Sequence, residues 1–193
     1  MKNPTRVPQP LVGMLRLARF RADGMAEFGS TVPMFLNSLV PLIAFPLVGA
    51  AMLLMRGQVI VSVTGLVATL VALLAPAVLS WMLAVRWQRE ADWLRYTVAF
   101  NWCQWVVPAA FMIGLLLIEA LIGLGLSEDA AFQAATLAAG AYGLCLHWFL
   151  ARHGLRLGKW RAVVMVAVSD LGTGLLVVGP MVITIAVNGT PNG

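Results

Sequence analysis

The chain reads as an all-α, polytopic integral membrane protein with five transmembrane helices, its N-terminus in the cytoplasm and its C-terminus outside. Three observations predict this. Of its 193 residues 61% are hydrophobic and only 11% charged, against roughly 25% charged in an ordinary soluble domain. Mean hydropathy is +0.89, so too few polar side chains exist to cover a soluble core. Five long apolar runs then alternate with connectors whose basic residues fall on every second turn.

Residues 1–30 form a cytoplasmic segment. Pro4, Pro8 and Pro10 argue for an extended start, with no cleavable signal peptide expected. From Leu11, the residues Met14, Leu15, Ala18, Ala22 and Met25 recur at helical spacing opposite Arg16, Arg19 and Asp23. That pattern predicts a short interfacial amphipathic helix.

The apolar runs are 31–54, 59–85, 98–126, 130–150 and 162–187. Each reaches the roughly 20 residues that cross a hydrocarbon core, and in lipid such runs must be helices to satisfy their backbones. Residues 188–193 form a short external tail. Twelve of the thirteen basic residues lie in the N-terminal segment and the second and fourth connectors, and only Arg56 lies on the other side. The excess of positive charge predicts which side is cytoplasmic, in a bacterial inner membrane. The tryptophans, from Trp81 to Trp160, cluster toward the same boundary.

Prolines 33, 41 and 46 interrupt the first run, and Pro76, Pro108 and Pro180 the second, third and fifth. The fourth has none, and its Thr136, Gly140 and Gly143 form a small-residue stripe suited to close packing, which predicts a central place in the bundle. Five helices do not divide into two inverted halves, which counts against a duplicated transporter.

Two carboxylates fall inside apolar runs, Glu119 and Asp170. Such groups face a bundle interior or a wet cavity because lipid does not solvate them. The spacing predicts that they lie at different depths and do not form a pair. Asn101, Gln104, His147, Arg152, Ser169 and Thr173 share the cytoplasmic third with Asp170 and predict a polar cluster, with Asp170 paired to Arg152 or His147. Its two readings are packing glue, the one favoured here, and a vestibule for a lipid headgroup or small solute.

No phosphate-binding loop, metal-binding H-E-x-x-H or nucleophile elbow is present. His147 and His153, six apart, point to different sides of a helix, so neither a metal nor another cofactor is expected. Cys103 and Cys145 lack the spacing of a redox or zinc pair. The net charge of +5 is gathered beside apolar runs, which indicates anionic lipid and excludes nucleic acid as the partner.

The stretch Tyr142-Gly-Leu-Cys-Leu-His-Trp-Phe-Leu-Ala-Arg-His-Gly-Leu-Arg-Leu-Gly-Lys-Trp-Arg-Ala162 joins an aromatic helix end, a basic connector and an apolar helix. It resembles the late-helix junction of bacterial Yip-like proteins, and the five-helix layout over about residues 30–187 is similar to the Yip family. The composition also resembles small inner-membrane proteins of alphaproteobacteria. The D-L-Y-G-P stretch of eukaryotic Yip members is absent, so their partnership with small GTPases is not implied, and the resemblance supplies no catalytic residue.

The sequence therefore favours a non-enzymatic membrane protein acting through association with itself as a homo-oligomer, with membrane lipids or with another membrane protein. The alternatives are a small-solute or proton-coupled permease using Asp170 and Glu119, and a lipid-modifying enzyme using the cluster.

Overall fold

A computed structural model describes residues 8–188, and no strand occurs among them. Helix α1 (Pro10–Leu17) leads into a 3-10 turn (Ala22–Glu27), then α2 (Val32–Met55), α3 (Val59–Arg86), α4 (Glu90–Cys103), α5 (Val106–Leu116), α6 (Ile118–Gly123), α7 (Glu128–Gly154) and α8 (Lys159–Asn188). Helices α4 to α6 follow one another as a single span of 34 residues, which makes five stretches long and apolar enough to cross a membrane. The external tail, 188–193, lies almost wholly outside the described residues, as do the first seven residues.

Several boundaries differ from the expected ones. The third span begins at Glu90, not at residue 98, because Glu90 and Asp92 in its first turn suit the positive end of the helix dipole. The fourth begins at Glu128, capped by Ser127, whose Oγ accepts the N–H of Ala130 at 3.3 Å, and it runs on to Gly154. The fifth starts at Lys159. These ends are polar, so an apolar window stops short of them.

The amphipathic pattern over 11–25 does not form one continuous helix. Phe20 takes a left-handed conformation, φ 55°, and the N–H of Arg21 returns to the carbonyl of Arg16 at 3.0 Å, which closes α1 in a Schellman turn. The same closure recurs at Gly57, Gln88, Gly125 and Arg156, each with positive φ and each followed by an N–H bonded five residues back. Every connector between spans is thus a local, self-satisfied turn.

Helix α1 and the 3-10 turn pack against one end of the bundle. Leu17, Met25 and Phe28 are buried with Tyr96, Leu150, Leu155 and Met165 in one core. The Phe20 ring sits edge-on to both Tyr142 and Phe149, and Tyr142 donates its hydroxyl to the carbonyl of Ala18 at 2.6 Å. Arg16 reaches the buried Glu27 at 3.2 Å.

Helix α4 touches α1, α2, α3 and α7 and is tied to its neighbours by buried serines: Asn101 Nδ2 donates to Ser38 Oγ at 2.8 Å, and Trp93 Nε1 to Ser80 Oγ at 3.1 Å. Helix α7 lies against α4, α5, α6 and α8. In its N-terminal half Ala131, Ala135 and Ala139 are buried, with Gly114 of α5 close beside Ala135 and Gly143 so near Val107 that a Cβ there would stand 3.0 Å from a methyl group. Thr136 is exposed and bonds the carbonyl of Phe132 in its own helix. The small stripe is used to seat α5 within the chain.

Candidate functional site

Helices α3, α8, α7 and α4 touch in sequence around a ring, α3 on α8, α8 on α7, α7 on α4 and α4 on α3. Between them lies a cavity of about 350 Å³, lined by Ala72 and Pro76 of α3, Cys103 and Gln104 of α4, Gly140 and His147 of α7, Asp170 of α8 and apolar neighbours. Gly140 leaves this space open, since nothing would meet a Cβ there within 4 Å.

Asp170, His147 and Tyr96 form one hydrogen-bonded chain on its wall. His147 Nδ1 lies 3.0 Å from Asp170 Oδ1, and its Nε2 lies 3.0 Å from Tyr96 Oη. An ionised carboxylate only accepts, which places the proton on Nδ1 and leaves Nε2 to accept from the tyrosine hydroxyl. The side chain of Asp170 is 37% exposed and that of His147 7%, while Tyr96 is 1% exposed. Phe100 holds the imidazole from the side at a ring distance of 4.7 Å and stacks on Tyr96. The chain thus runs from a carboxylate open to the cavity to a phenol sealed in the core.

Depth follows from position. Asp170 is eleven residues beyond the start of α8 at Lys159, about 16 Å along the helix, whereas Tyr96 is six beyond Glu90, about 9 Å.

Prolines add acceptors to the same wall. Pro76 has no N–H for the carbonyl of Ala72, and Pro108 none for that of Gln104, and both Ala72 and Gln104 line the cavity. The second omission coincides with the break between α4 and α5. Among the polar groups of the lining residues, a carboxylate, an amide oxygen and two carbonyls lacking their helical donors are acceptors, beside the Gln104 amide N–H2 as a donor.

The predicted cluster divides. His147, Asp170 and Gln104 meet at the cavity. Arg152 does not pair with Asp170: five residues beyond His147 it points about 140° away around the helix, and its guanidinium lies over the Trp148 ring at 5.2 Å. Asn101 turns to Ser38 instead. Thr173 donates to the carbonyl of Ser169 in its own helix at 2.6 Å, and Ser169 is fully buried. Glu119 is exposed at the start of α6 and takes no part in the cavity wall. Among the described residues no group of three His, Cys, Asp or Glu could hold a metal.

Sequence reasoning missed Tyr96 and the two serines. Tyr96 stood in what was taken as a connector, and the available signal was its spacing, four residues before Phe100 on an acidic-capped helix. No family model, curated protein or solved structure matches the chain.

Proposed function

We propose that the chain is a multi-pass permease of a bacterial inner membrane that takes a small cationic solute onto Asp170 and exchanges it for a proton. The observation that carries this reading is the Asp170–His147–Tyr96 chain facing the cavity. Ionisable groups inside a span mark ion and proton paths, and broken helices supply acceptors where they line a cavity.

The exchange follows from charge. A solute cation beside Asp170 disfavours a positive imidazole next to it. Once the solute leaves, a proton taken up at Nε2 makes His147 the counter-ion of the same carboxylate, and Tyr96 turns from donor to acceptor. Solute and proton therefore compete for one negative charge. The basic end of the bundle, where α1 caps the core, faces the cytoplasm in this reading.

An enzymatic reading finds less support, because the Tyr96 hydroxyl is buried away from any substrate. Of the small residues that motivated self-association, Gly143 meets Val107 of α5 inside the chain and Gly140 opens on the cavity, while Thr136 is exposed. The test uses the full chain in nanodiscs with guanidinium, methylammonium and urea as probes. Guanidinium or methylammonium should bind and release protons, urea, the uncharged counterpart of guanidinium, should not, and Asp170→Asn should abolish both signals. Equal binding of urea and guanidinium, no binding at all, or binding unchanged in Asp170→Asn would refute the proposal.

A further inference from the structure

Next to the cavity, sharing Leu144 with it, another concavity of about 430 Å³ opens between α7 and α8, lined by Leu144, Cys145, Trp148, Val163, Val166 and Ala167. All six lie within membrane-spanning stretches. The groove is closed at one end, where Trp148 Nε1 donates to the carbonyl of Lys159 at 3.2 Å. Two cations stand at that end. Arg152 is one turn beyond Trp148, with its guanidinium against the indole, and Lys159 is one turn before Val163. Neither has an ion-pair partner among the described residues. The nearby acids are engaged elsewhere, Asp92 with Arg156, Asp23 and Glu27 with Arg16, and Asp170 with His147.

We infer that this groove is a binding site for one anionic phospholipid, with the upper part of an acyl chain lying between α7 and α8 and the phosphate held by Arg152 and Lys159. The occupant must be apolar along its length and negative at one end. The lining covers only about one turn of α7, near 6 Å from Leu144 to Trp148, too short a footprint to seat a partner helix along its length. Trp160, 83% exposed at the same level, suits the headgroup zone. A groove of about 450 Å³ between α3 and α8, lined by Val67, Leu74, Leu176 and other apolar residues, has no cation in its wall and serves as the internal comparison. The inference is independent of the cavity reading, because it uses neither Asp170 nor His147.

The experiment is native mass spectrometry of the full chain from micelles containing equal dioleoyl phosphatidylglycerol and dioleoyl phosphatidylcholine. One phosphatidylglycerol should be retained in preference. Arg152→Gln and Lys159→Gln should each reduce retention about fivefold, the equivalent of the roughly 1 kcal/mol that one basic residue contributes at an anionic surface. The double variant Arg86→Gln/Arg89→Gln removes two charges elsewhere, more than either single variant, and should leave retention intact. Glycerol 3-phosphate, a headgroup without chains, should not displace the lipid. Equal retention of both lipids, equal loss in the Arg86/Arg89 control, or displacement by glycerol 3-phosphate would each overturn the site.

Discussion

Tyr96→Phe isolates one link of the buried chain. The ring keeps its stacking on Phe100 and its place beside Gly154, so the substitution removes only the hydroxyl that reaches His147 Nε2 at 3.0 Å. Two effects set the size. Leaving a buried acceptor without a partner costs about 1–3 kcal/mol. Interhelical hydrogen bonds in membrane proteins average only about 0.6 kcal/mol, reaching about 1.7, because an inserted but undocked helix finds other partners. Tyr96 is 1% exposed and lies in the core, away from cavity water, so the upper part of the second range applies and a loss of about 1–2 kcal/mol is expected. The assay is reversible unfolding in mixed micelles, run as a double-mutant cycle with His147→Ala. A coupling of about 1 kcal/mol is expected, and it should shrink in an Asp170→Asn background, since a carboxylate on Nδ1 strengthens acceptance at Nε2. A coupling indistinguishable from zero would show that the three groups do not act as a chain.

Phe20→Ala should loosen the cap. Its ring touches Tyr142 and Phe149, and edge-to-face pairs contribute about 0.5–1.5 kcal/mol each. Limited proteolysis should therefore cut the N-terminal segment at Arg19 or Arg21 several-fold faster while the spans stay intact; unchanged cleavage would mean that the cap is held without it. Pro108→Ala restores the N–H that the carbonyl of Gln104 lacks. Guanidinium should then bind severalfold more weakly by titration, without loss of helix content by circular dichroism, and full retention of affinity would remove that carbonyl from the ligand set.

The five spans were legible because burial in lipid demands a continuous apolar run, and such a run is a property of local sequence. The same feature hid the true start of the third span. Between residues 90 and 97 the helix is protein-buried at Tyr96 and Thr97 yet reads as polar, so a window tuned to lipid ends at residue 98. Asp170 and His147 could be placed together from depth alone. Arg152, at a similar depth, could not be excluded without the angle between positions 147 and 152. Ser38, Ser62 and Ser80 gave no signal, because a serine in an apolar run looks the same whether it faces its own backbone or a neighbouring helix. Here Ser62 bonds the carbonyl of Ala50 across to α2, and Ser38 and Ser80 receive α4.

The ring of helices around the cavity has a consequence for how the protein is made. Helices α3, α4 and α7 enter the membrane before α8, and chains fold in order of synthesis where local turns allow it. The connectors here close on themselves, so each hairpin can form as it emerges. Helix α8 closes the ring on the side away from α4 by meeting both α3 and α7, with Gly172 admitting Leu79 so closely that a Cβ would stand 2.7 Å from it. Until α8 docks, His147 has no carboxylate and the cleft is open to lipid along one whole side. The acidic group on which the proposed site turns arrives with the piece that shuts the ring, so a half-built protein has no acidic site to load.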